Sequence, residues 1–295
     1  MSWVDEALDR LAAEPRCGYH AKGVAAVEPT ALAAMALIAQ RRADAAQPAL
    51  EWLASLQSGD GSLGVDADHS QPRWPTGWVI LAWRAALAVA ENPRLTAAAE
   101  RAVGWSLSLR GRTLPPSPVY GHDTSLCGWP WVESTHSWVE PTAINLLALK
   151  SSGKADHPRS REAVKLLLNR TLPAGGWNYG NTIILGNTLR PHVQPTGLTL
   201  AALHGEPDAE QQVQRSLDYL DRTLSARTTT ASLCYGLIGA SAHGRRPGAA
   251  DRWLEAAWQR TLARDASPYK FALLALAHLG RDGPWFSSSP TSPQA

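Results

Sequence analysis

Cys127-Gly128-Trp129-Pro130-Trp131-Val132-Glu133-Ser134-Thr135-His136-Ser137-Trp138-Val139-Glu140-Pro141-Thr142-Ala143-Ile144-Asn145-Leu146-Leu147-Ala148-Leu149-Lys150 is the stretch that decides how this chain is read. A Trp-dense connection ends in Glu140-Pro141-Thr142, and an apolar, Ala/Leu-rich run follows. Proline suits the start of a helix, because its fixed φ is helical and its missing N–H would have no partner there. The junction recurs. Val27-Glu28-Pro29-Thr30-Ala31, Trp74-Pro75-Thr76-Gly77 and Val193-Gln194-Pro195-Thr196-Gly197 each lead into another apolar run. One loop-to-helix device used four times is an internal repeat, and a repeat sets the architecture.

Working outward, the apolar runs alternate with amphipathic ones. Residues 3–14 place Trp3, Ala7, Leu8, Leu11 and Ala12 on one helical face. Residues 31–40 are apolar nearly all round, as a fully buried helix must be. The same order holds for 48–56 and 76–90, 95–109 and 142–149, 161–169 and 196–203, 210–224 and 230–240, and 250–263 and 268–279. An open solenoid of such pairs needs polar caps at both ends. Here the first and last apolar helices match the middle ones, which predicts closure. The predicted fold is all-α, an α6/α6 toroid with six parallel inner helices inside six outer ones. It forms a single domain over 1–281, and a Ser/Pro-rich tail, 282–295, is expected to be disordered.

The totals agree with one large helical domain. At 295 residues and 44% hydrophobic, the chain can bury a sizeable core. Only 18% of residues are charged, the net charge is +2, and no dense basic cluster occurs, so nucleic acid is not an expected partner. The three cysteines, Cys17, Cys127 and Cys234, are far apart and odd in number, which suits a reducing compartment. Neither a signal-peptide pattern nor a membrane-length apolar run is visible, and a cytoplasmic location is expected.

The connections carry a second signal. Gln57-Ser58-Gly59-Asp60-Gly61-Ser62-Leu63 follows one outer helix, and Gly175-Gly176-Trp177 follows another. A Gln, three residues, Gly, any residue and usually Trp resembles the QW-type repeat of squalene–hopene cyclases, oxidosqualene cyclases and protein prenyltransferase β subunits. The resemblance covers most of 1–281. It implies an α/α toroid and protonation-initiated cyclisation of a linear isoprenoid in the central cavity, without a cofactor. In class II terpene cyclases the proton donor opens an inner helix within Asp-x-Asp-Asp-Thr-Ala. Laid on Trp138-Val139-Glu140-Pro141-Thr142-Ala143, that pattern puts Glu140 at the acid's position, with Trp138 and Pro141 replacing the flanking aspartates. Glu28-Pro29-Thr30-Ala31 matches equally well. The same resemblance leaves open a non-catalytic toroid that binds an isoprenoid or lipid, or serves as a protein-interaction scaffold. It also leaves open a prenyltransferase β-like subunit. Peripheral membrane association, a partner subunit and a homodimer are compatible with it.

The candidate residues follow from the same stretch. Glu140 is the candidate acid, with His136 as its hydrogen-bond partner. Trp74, Trp129, Trp131 and Trp138 offer aromatic faces that stabilise cations, and so are candidates for lining the substrate pocket. Glu28, Gln194 and His192 stand at other inner-helix starts and complete the predicted rim. Arg73 and Arg190 lie nearby, where helix N-termini and cations together suit a diphosphate. His122, Asp123, Cys127 and His136 form a conceivable zinc set. Their spacing matches no established finger, so no metal is predicted. Trp52 and Trp177 are read as structural staples of the turns.

Overall fold

The computed structural model describes residues 2–285. Six outer helices alternate with six inner ones. The outer set is α1 (Trp3–Ala13), α3 (Ala43–Ser55), α5 (Pro93–Ser108), α7 (Pro158–Asn169), α9 (Glu210–Thr223) and α11 (Ala250–Arg264). The inner set is α2 (Val27–Ala39), α4 (Thr76–Leu87), α6 (Val139–Ser151), α8 (Val193–Ala202), α10 (Thr230–Ala242) and α12 (Pro268–His278). Each inner helix packs on the next, and α12 returns to α2. The ring is therefore closed, and the chain is an all-α toroid of twelve helices among the described residues. Two strands of two residues, β1 (Ile183–Ile184) and β2 (Asn187–Thr188), pair between α7 and α8.

Burial explains the alternation. In α2 every residue from Val27 to Ile38 is buried, whereas α1 buries only the stripe Val4, Ala7, Leu8 and Leu11. Packing is tightest between α8 and α10. A Cβ added to Gly197 would lie 2.1 Å from the Tyr235 carbonyl oxygen, and one on Gly239 would lie 2.3 Å from the Gly197 carbonyl oxygen. Only glycine lets these two backbones meet.

The recurring threonine is a staple. Thr30 Oγ1 accepts the Cys17 N–H and donates to the Cys17 carbonyl, both at 3.1 Å. Thr196 holds Trp177 in the same way, at 2.9 and 3.2 Å. Thr76 accepts the Leu63 N–H at 2.9 Å, and Thr142 accepts the Trp129 N–H at 3.0 Å. Four of the six inner helices, α2, α4, α6 and α8, are thus tied to a residue of the preceding turn. Leu63, Trp129 and Trp177 fill one equivalent, fully buried slot. The indoles also donate to carbonyls of the preceding outer helices, Trp129 to Ser106 at 2.9 Å and Trp177 to Leu167 at 2.7 Å. Trp52 is only half-buried.

Three inner helices begin earlier than the apolar pattern alone indicates, at Val27, Val139 and Val193. Glu28, Glu140 and Gln194 are therefore second residues and the prolines third. First-turn N–H groups have no intrahelical acceptor, so proline is tolerated there.

Beyond α12, a 3-10 turn (Gly280–Asp282) lies against α10. It brings Trp285 to 5.4 Å from Trp78, ring to ring. Of the segment 282–295 read as a disordered tail, residues 286–295 lie outside the described residues, but the described part buries the Trp285 indole. Cys17, Cys127 and Cys234 are free and buried. Among the described residues no helix is long and apolar enough to cross a membrane.

Candidate active site

The parallel inner helices present their N-terminal ends at one rim. Helix α2 brings Glu28, α6 brings Glu140, α8 brings Gln194 and α12 brings Tyr269, each as its second residue. Further along the ring axis, Trp78 of α4 and Tyr235 of α10 meet with centroids 6.3 Å apart. These two helices stand on opposite sides of the ring, so the aromatic pair closes its middle. Trp285 packs edge-on against Trp78.

Both carboxyls are buried, Glu28 at 8% exposure and Glu140 at 5%. The Tyr19 hydroxyl donates a hydrogen bond to Glu28. Tyr19 also stacks on Tyr269 at 5.2 Å, and the Tyr269 and Tyr235 hydroxyls act on one another electrostatically. The Gln194 side-chain amide stands beside Glu140 and favours its carboxylate, while Glu140 Oε1 is buried with no partner. The Nε1 atoms of Trp78 and Trp285 are likewise buried and unpartnered.

Two opposing effects set the protonation of the acids. A helix N-terminus favours the carboxylate by at most about 2 kcal/mol. Burial favours the neutral acid and wins, raising Glu140 from 4.5 to about 7. Burial also raises Glu28 to about 7, with the Glu140 charge adding to the effect and the Tyr19 hydrogen bond opposing it. Two carboxyls that sense one another resist ionising together. Burial keeps Tyr235 and Tyr269 neutral, far above the usual phenol range. The arrangement can therefore hold a carboxylic acid proton near neutrality, next to aromatic faces that stabilise a cation.

Glu28, Glu140 and Gln194 come together as the junction repeat predicts. His136 does not join them. It is exposed, stacks on half-buried Trp138 at 4.5 Å, and lines a separate cavity with His122 and Arg170. The partner of Glu140 is Gln194, because neighbouring helix starts meet around the rim whereas the turn before α6 carries His136 away. Trp129 lies outside the site as a turn staple, with the Arg159 guanidinium 4.0 Å above its ring. Trp74 and Trp131 form a half-buried, edge-on pair at 4.8 Å. His192 is exposed and stacks on Tyr179 at 5.3 Å, and the Glu140 charge contributes to raising the Tyr179 pKa. Arg190 is exposed, and Arg73 is engaged by Asp60 at 3.0 Å and Glu133 at 3.2 Å.

The conceivable zinc set is dispersed into other bonds. Cys127 donates to the Gly111 carbonyl at 3.3 Å, and Asp123 accepts from the Ser125 hydroxyl at 2.6 Å. Among the described residues no three metal-ligating side chains gather. Sequence reasoning missed Tyr19, Trp78, Tyr235 and Tyr269. Trp78 and Tyr269 lie in the first turns of α4 and α12, a position that could have found them, whereas Tyr235 lies in the middle of α10.

No family model matches the chain, and no curated protein does. Its fold is similar to that of a protein from Actinoplanes, at 19% identity over 88% of this chain and 79% of that one, with a TM-score of 0.56. It is also similar to an inactive variant of an α-1,6-mannanase from a Salegentibacter species, solved with α-1,6-mannotetrose. That match has 11% identity, covers 97% of this chain and all of the other, and gives a TM-score of 0.58. An ent-copalyl diphosphate synthase from Streptomyces platensis aligns weakly, at 14% identity over 93% of this chain and 98% of that one, with a TM-score of 0.33. The α/α toroid is thus shared with a carbohydrate-active enzyme, and the link to terpene cyclases is weak.

Proposed function

We propose that the protein is an acid catalyst that cyclises a linear isoprenoid at the mouth of the ring, with Glu140 as proton donor. The observation that carries this reading is the buried Glu140 Oε1, unpartnered beside an aromatic layer and belonging to a carboxyl raised to about 7. In the first step the Glu140 O–H bond breaks and a C–H bond forms at an alkene carbon. The adjacent carbon becomes cationic, and the next double bond attacks it to form the new C–C bond. The Gln194 amide stabilises the carboxylate left on Glu140, and the faces of Tyr235, Trp78 and Trp285 stabilise the travelling cation. Loss of a proton from the cyclic cation to that carboxylate regenerates the acid, so the net reaction is an isomerisation.

A second reading uses the same pair of carboxyls. Two acids at one end of a toroid also suit acid–base cleavage of a glycosidic bond, and the similarity to the mannanase spans nearly both chains. A non-catalytic toroid that binds isoprenoid or lipid is the third.

Incubating the purified full chain with squalene, C15–C20 prenyl diphosphates and α-1,6-mannotetraose, followed by product analysis, separates the three. The proposal requires a cyclised product that disappears in Glu140→Gln while the variant stays folded. Release of smaller mannosides selects the second reading. Saturable isoprenoid binding without turnover selects the third.

A further inference from the structure

The connection between α5 and α6, with residues near 181, bounds a cavity of about 250 Å³ that none of Glu28, Glu140 or Gln194 lines. Its polar walls include Arg112, His122, Thr124, His136, Arg170 and Asn181. Arg170 caps the C-terminus of α7 and is only 4% exposed. Its Nη1 donates to the carbonyls of Gly180 at 3.0 Å and Ser137 at 3.4 Å, and its Nε is buried without a partner. Among the described residues no carboxylate forms an ion pair with it. The nearby acid, Asp123, spends Oδ1 on the Ser125 N–H and hydroxyl, at 2.8 and 2.6 Å.

A buried guanidinium without a counter-ion is strongly unfavourable. Arg159 shows the usual remedy in this same molecule: at 2% exposure it pairs with Glu162 at 2.8 Å. Arg170 has no such partner, and two imidazoles stand beside it. Burial and the Arg170 charge push His122 down to about 4 and lower His136 as well. Neutral imidazoles still offer N–H donors. The walls therefore combine a buried cation that makes no direct ion pair, a second arginine and several donors, and the Asp123 charge that acts on Arg170 lies outside the lining. Leu114, Leu126 and Tyr120 supply the apolar remainder.

We propose that this cavity binds a small phosphate-bearing ligand, inorganic phosphate or a compact phosphomonoester, with Arg170 as its counter-ion. Arginine presents a planar fork suited to phosphate oxygens. The volume falls just below the usual range for drug-sized ligands, which favours a compact anion. A larger cationic cavity of about 610 Å³ near the start of α10 differs in kind. Its Arg227 and Arg264 are exposed, and its Lys270 is paired with Asp265 at 2.5 Å. The assignment is independent of the chemistry proposed at Glu140.

The test titrates inorganic phosphate into the full chain, by calorimetry and by the imidazole resonances of His122 and His136. Both resonances should shift saturably. Arg170→Met should weaken binding roughly tenfold or more, Arg112→Ala less so, and the double variant Arg227→Ala with Arg264→Ala not at all. Should Arg170→Met fail to fold, Arg112→Ala and His122→Phe carry the same comparison with Arg170 left in place. Absence of saturable binding overturns the assignment. So does phosphate binding that leaves both imidazoles unmoved, or binding unchanged in the Arg112→Ala and His122→Phe variants.

Discussion

The Gln194 side-chain amide on α8 faces Glu140 on α6 and favours its carboxylate, and Glu140 Oε1 is buried without a partner. Both residues hold the same place in successive repeats, immediately before Pro-Thr, and differ as amide and acid. The amide stabilises the carboxylate that remains after proton transfer. Gln194→Leu should therefore raise the Glu140 pKa further and move the alkaline limb of the turnover-versus-pH profile upward. A profile unmoved in that variant removes Gln194 from the proposed chemistry.

Stability should depend on pH through the same acids. Their folded pKa values lie above the unfolded ones, so between 4.5 and about 7 the folded state binds more protons. Stability contributed by these groups is therefore greatest at the acid end and falls as pH rises through that window. The loss is on the order of 3 kcal/mol per group, taking about 1.4 kcal/mol per pKa unit. His122, lowered to about 4, acts in the opposite direction between 6.5 and 4. Subtracting wild-type urea-unfolding curves from those of Glu140→Gln cancels the histidine contribution. The variant should gain on the wild type between about pH 4.5 and pH 7 and level off above that. A flat difference contradicts the raised pKa.

The threonine staples should be worth more than ordinary surface hydroxyls. Thr196→Val leaves the buried Trp177 N–H without its acceptor, at a cost of about 1–3 kcal/mol. Trp177→Ala should cost about 3–5 kcal/mol by leaving a cavity. Trp52→Ala should cost less, because Trp52 is half-buried. Chemical denaturation reads all three, and equal losses at Trp52 and Trp177 contradict the packing described.

Two glycines make an internally controlled pair. Gly197→Ala drives a methyl into the Tyr235 carbonyl and should prise α8 from α10, with severe loss of folded protein. Gly104 sits inside α5 with nothing within 4 Å of an added Cβ. There alanine should stabilise by about 0.5–1 kcal/mol through helix propensity. Circular-dichroism melts of both variants decide whether close backbone approach or generic glycine chemistry governs the inner ring.

Much of the fold was legible because burial differs so sharply between the two kinds of helix. An inner helix such as α2 touches protein on every side, and its sequence shows it. The rim was also legible: Glu28, Glu140 and Gln194 share the residue before Pro-Thr, and equivalent positions in a closed ring must converge. The partner of Glu140 was not. His136 is four residues away in sequence, but a turn decides where its ring goes, and no local pattern records contacts between ring neighbours. Trp129 could have been placed correctly. It precedes Thr142 by 13 residues, as Leu63 precedes Thr76 and Cys17 precedes Thr30. That spacing marks it as a staple rather than a pocket wall. Tyr235 and Tyr269 sit inside runs read as uniformly apolar, so their hydroxyls carried no periodic signal.

The proton that Glu140 is proposed to hold near neutral pH can be titrated directly. Infrared difference spectra between the wild type and Glu140→Gln isolate its C=O stretch as pH is varied. A protonated carboxyl is expected on the acid side of neutrality, ionising at about 7, with Glu28→Gln lowering that midpoint by removing a neighbouring carboxylate. A Glu140 carboxylate already ionised at about pH 5, near the ordinary glutamate value, would contradict it.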